Sequence, residues 1–164
     1  MKVSANKVAQ KLQMTSSGFT LIELMVTIAV LAIIVSIAAP SISTQLANQR
    51  VKSTTTTLAN AFKEARIEGV VRRQDIEVSY DDNTHTIMIK VDDGSNNDGI
   101  ATYPYNTKSI IDGDDDIKFK PNKTADDATY LICDTNSSAT PRQVKVSKLG
   151  IISSQLFIGG SCDD

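Results

Sequence analysis

Residues 19–39 are apolar at almost every position, and after them the pattern of the chain changes twice. A helix over this run, rising ~1.5 Å per residue, is long enough to cross a hydrocarbon core ~30 Å thick. Beyond Pro40, Ile42, Leu46, Val51, Leu58, Phe62 and Ala65 recur at helical steps. They predict an amphipathic continuation over 40–72 whose stripe packs on whatever follows. The β-branched run Thr54-Thr55-Thr56-Thr57 weakens helix propensity in the middle of it. After Arg73 the period falls to two. Ile76, Val78 and Tyr80 alternate with Glu77 and Ser79, Asp81-Asp82-Asn83 turns the chain, and 86–91 returns as a second strand. Further strands fit 117–120, 129–133, 143–147 and 151–157, while 92–99 is a loop by composition. The expected fold class is α+β: a long N-terminal helix lying on an antiparallel sheet.

Charge enters this picture at one place above all. Glu23 is the only residue of 19–39 that can ionise. A carboxylate within a bilayer core costs on the order of 2.5–3.5 kcal/mol on insertion scales, which makes it a functional candidate. No cation of the written chain reaches it: Arg50 is about 40 Å further along a helix, and Lys11 lies beyond a Ser/Gly stretch. Cleavage after Gly18 would place a new ammonium group on Phe19, one helical turn from Glu23. That amine could pair with Glu23 of its own chain or of a neighbour. The alternative is a glutamate near the end of the span that reaches the interface. Residues 1–18 contain Lys2, Lys7 and Lys11 with no acid, which suits a cytoplasmic leader. Arg50 and Lys52 on the far side make the charge bias moderate.

The motif Gly18-Phe19-Thr20-Leu21-Ile22-Glu23-Leu24, with an apolar helix ending at Ala39-Pro40, resembles the processing and assembly motif of type IV pilins and type II secretion pseudopilins. The stretches AFKEARIEGVVRRQDIEVSY, IKFKPNKTADDATYLIC and RQVKVSKLGIIS resemble the branch that groups the pseudopilin GspH with the minor pilins FimT and FimU. The resemblance implies a prepilin leader at 1–18, removed by a prepilin peptidase that cuts after Gly18 and methylates Phe19. It implies a transmembrane and assembly helix at 19–39 in which Glu23 guides docking into the filament. It also implies a helix bend at Pro40 and a periplasmic head at 73–164. The implied partners are other major and minor pilins, the peptidase and inner-membrane lipid. The implied location is the inner membrane, then a surface pilus or a periplasmic pseudopilus.

The remaining composition narrows the alternatives. A net charge of −2, no Trp and 5% aromatic residues give no general footprint for nucleic acid. Lys118, Lys120, Lys123, Arg142, Lys145 and Lys148 could still form a basic stripe for salt-sensitive DNA binding. Some members of the branch act in DNA uptake and carry a Gly-Arg-x-Arg element near the last strands. Here the matching stretch is Gly150-Ile151-Ile152-Ser153, without either arginine, and a solvated sheet face is favoured. Cys133 and Cys162, in an exported head, read as a disulfide closing a loop of roughly 30 residues, with two separate thiols as the alternative. The acidic loops at 92–98 and 112–116 offer oxygen ligands for Ca²⁺ but lack the EF-hand spacing, so solvated turns are favoured. His85, the single histidine, stands at a strand rim with no nucleophile motif around it. No enzyme and no cofactor are expected.

Overall fold

The computed structural model describes residues 18–93, 99–114 and 116–158, with residues 38–41 by backbone only. The chain divides into two compact units, Met1–Ala38 and Ala39–Asp164. Helix α1 (Leu21–Arg72) runs through both.

In the first unit the helix is apolar on every side, with Leu21, Met25, Ile28, Leu31 and Ile34 among many exposed side chains. A helix of this kind has no face suited to water. Its internal hydroxyls, Thr27 and Ser36, donate to the Leu24 and Ile33 carbonyls at 2.8 and 2.7 Å. Neither hydroxyl therefore needs a solvent partner. Among the described residues no single unbroken helix is long and apolar enough to cross a membrane. Leu21–Ile37 and Ile42–Arg72 meet that condition together.

In the second unit the helix keeps most of the expected stripe. Val51, Leu58, Phe62 and Ala65 are buried, joined by Ala47, Ala59 and Ala61. Ile42 and Leu46 depart from it, at 54% and 56% exposure. Among the described residues burial of the helix begins at Ala47, and no apolar surface covers Ile42 and Leu46. The threonine run stays helical with every hydroxyl partnered, three within the helix and one across to the sheet. Thr55, Thr56 and Thr57 donate to the carbonyls of Val51, Lys52 and Ser53, and Thr54 reaches Ser109 Oγ at 3.0 Å. The helix ends at Arg72, followed by Arg73 in the left-handed region (φ 58°), a conformation common just after a helix C-terminus.

The expected sheet is two sheets. One has the order β3-β2-β1-β5, built from β1 (Ile76–Asp81), β2 (Thr86–Val91), β3 (Gly99–Pro104) and β5 (Asp116–Phe119). The other has the order β4-β6-β7-β8, built from β4 (Ser109–Asp112), β6 (Ala128–Asp134), β7 (Arg142–Val146) and β8 (Ile152–Leu156). Every pairing is antiparallel. The β1–β2 hairpin forms as the alternation predicts. Strands β3 and β4 escape the sequence pattern because one runs from a glycine to a proline and the other, Ser-Ile-Ile-Asp, sets two apolar residues side by side without alternation.

Phe62 joins these layers. Its ring lies 5.9 Å from Phe119 of the first sheet and 5.1 Å from Tyr130 of the second. All three side chains are fully buried, and aromatic pairs at such spacing add ~0.5–1.5 kcal/mol beyond area burial.

Candidate functional site

The processing residues stand where the chain enters the helix. Gly18, Phe19 and Thr20 precede α1 in irregular, exposed backbone, and Phe19 is 80% exposed. A Cβ added to Gly18 would meet nothing within 4 Å. Thr20 caps the helix: its Oγ accepts the Glu23 N–H at 3.2 Å, and its carbonyl accepts the Leu24 N–H at 3.1 Å. Thr20 is thus the N-cap, and Glu23 stands at the third helical position, the spacing of a Ser/Thr-x-x-Glu sequence at a helix start. The sequence carried that signal, and sequence reasoning passed over Thr20.

A carboxylate in the first turn also complements the positive end of the helix dipole. An ammonium group on Phe19 would lie at that same positive end. Without Glu23 the two positive features would repel each other in a low-dielectric setting. Among the described residues Glu23 makes no ion pair. Pro40, the expected bend, is described by backbone only, so its side chain lies outside the described residues.

The first part of the helix in the second unit is tied to the end of β6. Arg50 donates from Nε to Asp134 Oδ2 at 2.7 Å and from its terminal nitrogen to Oδ1 at 2.8 Å. The Asp134 side chain is fully buried and that of Arg50 is 24% exposed. Burial alone would raise the Asp134 pKa. The Arg50 hydrogen bonds and the Asn136 N–H outweigh it and hold the carboxyl below the usual range. Asn48 adds a second tie by accepting the Thr140 N–H at 2.7 Å. These partners stand 84 and 92 residues apart, and no local pattern announces them. The pairing also neutralises Arg50, one of the two cations that weakened the charge bias across the apolar run. Cys133, next to Asp134, is buried and disulfide-bonded. Cys162 lies outside the described residues.

The residues of the expected basic stripe are divided. Lys118 is on β5 in the first sheet, whereas Arg142 and Lys145 are on β7 in the second. Ile117 and Phe119 are buried and Lys118 faces away from them, as alternation predicts. Lys118 pairs with Asp92 at 2.8 Å and stands 3.9 Å from Glu77, which also holds Lys90 at 2.7 Å. The hydrogen bond and charge of Asp92 raise the Lys118 pKa. Lys120 and Lys123 flank the turn after β5, where the Lys123 N–H returns to the Lys120 carbonyl. Lys148 lies in the turn between β7 and β8, its carbonyl accepting the Ala125 N–H. The cations are thus spread over two sheets and two turns, and Lys118 is matched by acids.

His85 is half-buried in the β1–β2 turn (φ 51°), edge-on to Tyr105 at 5.4 Å. Asp82 accepts the Tyr105 hydroxyl at 2.6 Å. Of the two acidic loops, 94–98 and Asp115 lie outside the described residues. Among those described, no group of three or more acids, histidines or cysteines could hold a metal ion.

Residues 13–39 match the family model described as the prokaryotic N-terminal methylation motif. The fold, a long helix on antiparallel sheets, is similar to that of a minor pilin and a minor pseudopilin of solved structure. The type IV minor pilin FimU of Pseudomonas aeruginosa superposes with a TM-score of 0.58 at 20% identity, over 70% of this chain and 96% of that one. The minor pseudopilin EpsH of the Vibrio cholerae type 2 secretion system gives 0.55 at 10% identity, over 65% and 97%. No curated protein matches the chain by sequence.

Proposed function

We propose that the chain is a prepilin-type subunit that is cleaved after Gly18, methylated on Phe19 and built into a filament through its N-terminal helix. One observation carries the reading. A methylation-type motif covers the segment in which an accessible Gly18-Phe19 bond directly precedes a helix with Glu23 in its first turn. Before cleavage Thr20 caps the helix and Glu23 complements its dipole. After cleavage the Phe19 amine supplies the cation that a carboxylate in the bilayer needs. If neighbouring helices stagger, the amine of one subunit meets Glu23 of the next. An unpaired carboxylate would then be the penalty for wrong register.

The apolar segment holds the precursor in the inner membrane as a single span, with the head in the periplasm. There a Cys133–Cys162 disulfide fastens the C-terminal tail to the end of β6, and Pro40 bends the helix. The fold shared with FimU supports a minor pilin of a type IV pilus or its tip complex, acting in pilus assembly and twitching motility with other major and minor pilins. The fold shared with EpsH supports the alternative, a pseudopilus of a secretion system. DNA reception is the weaker alternative, since the cations invoked for it are divided between sheets. The test is intact mass and N-terminal sequencing of the chain from membranes and from sheared filaments. A methylated Phe19 start in the filament fraction is expected. A start at Met1, or beyond the apolar run, would sink the reading.

A further inference from the structure

Among the described residues two sheets present four edges, and three of them are blunted in ways that discourage strand addition. β3 ends in Pro104 and pairs with β2 across an irregularity at Ile89/Lys90. β4 has four residues and ends in Asp112, and β5 carries Asp116 and Lys118 on an equally short strand. β8 differs. It closes the order β4-β6-β7-β8, reads Ile152-Ser153-Ser154-Gln155-Leu156, and contains no charge and no proline. Exposed strand edges normally carry such devices because their free backbone groups recruit other strands.

The hydrogen-bond phase shows which groups are free. The Ser147 N–H donates to the Ile151 carbonyl, and the Phe157 N–H to the Pro141 carbonyl, each at 3.0 Å. The register between them runs from Val146↔Ile152 to Arg142↔Leu156. In an antiparallel ladder the bonded and non-bonded pairs alternate. Residues 151, 153, 155 and 157 therefore direct their backbone groups at β7. Ile152, Ser154 and Leu156 direct theirs outward, where no strand pairs with them among the described residues.

Beside this edge is an open groove of about 280 Å³ between α1 and β8, lined by Gln45, Gln49 and Lys52 of the helix and by Arg142 and Leu156. Leu156 and Arg142 are cross-strand partners on one face. Neither Lys52 nor Arg142 makes an ion pair among the described residues. A strand added to β8 would therefore lay alternate side chains on the face that carries both cations, with Arg142 reaching toward them across Leu156.

We propose that the outer edge of β8 receives an extended strand from another protein, with an acidic side chain of that strand seated between Lys52 and Arg142. The backbone of Ile152, Ser154 and Leu156 supplies the hydrogen bonds, and the cations choose the partner. A second copy of this chain fits poorly. Its own β8 offers Ile152, Ser154 and Leu156 to the groove, with no acid, and would bring a second Lys52 and Arg142 alongside the first. The inference concerns the head alone and stands whether or not the N-terminus is processed.

The test uses the full chain in detergent and a short peptide alternating Val and Thr with one central Glu, alongside a twin with Lys in that place. Amide exchange is read residue by residue. The Glu peptide is expected to slow the Ile152, Ser154 and Leu156 amides by ~10-fold or more, leaving Ser153 and Gln155 unchanged. The Lys twin is expected to do so at least ~10-fold more weakly. Ser154→Pro removes one outward N–H and no bond to β7, so it is expected to abolish the effect with the near-ultraviolet dichroism unchanged. Should that variant fail to fold, Lys52→Glu with Arg142→Glu remains decisive, because it must invert the preference toward the Lys peptide. Four results overturn the proposal: no slowing with either peptide, equal slowing by both, outward amides already protected in the free chain, or a dimer formed through β8.

Discussion

Removing either end of the Arg50–Asp134 pair tests the reading of how the helix is fastened to the head, because the two ends are not equivalent. The Asp134 side chain is fully buried, while Arg50 is 24% exposed. Arg50→Gln leaves a buried carboxylate that keeps the Asn136 N–H at 2.9 Å and the more distant charge of Lys108 but loses the guanidinium. Breaking a buried pair in this way costs ~3–5 kcal/mol, and access of water from the Arg50 side places the expectation near the lower end, at about 3 kcal/mol. Asp134→Asn leaves a guanidinium that can turn to solvent and an amide oxygen that still accepts, so about 1 kcal/mol is expected. The assay is denaturant unfolding of the purified chain followed by near-ultraviolet dichroism, at pH 7 and again near pH 4.

The pH dependence has a definite sign. In the wild type the folded Asp134 pKa lies below its ordinary value of 3.8. Its contribution is fully present above about pH 4 and is lost as pH falls through the lower folded value. In Arg50→Gln, burial is no longer outweighed, the carboxyl protonates earlier, and the cost of the substitution shrinks on acidification. Equal costs for the two variants at pH 7, or a cost for Arg50→Gln that grows toward pH 4, would refute the reasoning.

Other outcomes follow from the same structure. Glu23→Ala is expected to leave the membrane-bound amount of the chain unchanged while its content in sheared filaments drops by ~10-fold or more, measured by immunoblot. Gly150 has φ +66°, and an added Cβ would lie 2.4 Å from the Lys123 carbonyl, whereas one on Gly99 meets nothing within 4 Å. Gly150→Ala should therefore lower stability by ~1–3 kcal/mol and Gly99→Ala should not, as thermal unfolding will reveal. Reduction should destabilise the head by ~3 kcal/mol, seen as an earlier unfolding midpoint with reductant, if Cys133 and Cys162 close their loop. Lys118→Gln is expected to change retention of duplex DNA less than ~2-fold in low-salt filter binding, since Asp92 already matches its charge at 2.8 Å. A large drop would restore the DNA-receptor alternative.

The sequence by itself determined whatever rests on neighbours along the chain. A continuous apolar run with one acid, a helical period to Arg72 and a twofold period from Ile76 each state a local preference that the fold keeps. Even Thr20 was legible, because a cap and its acid stand three residues apart. Tertiary structure decided what rests on distant partners. Nothing near Arg50 points to Asp134, and nothing near Asn48 points to Thr140. The division of the strands into two sheets, and with it the scattering of the cations, follows from pairing between segments far apart in the chain. Ile42 and Leu46 have the same helical spacing as Val51 and Leu58, yet they stay exposed because burial requires a surface opposite, which periodicity does not supply. The edge of β8, unpaired among the described residues, has the same origin. Any strand carries unpaired backbone groups, and only the order of the sheet leaves one row of them open.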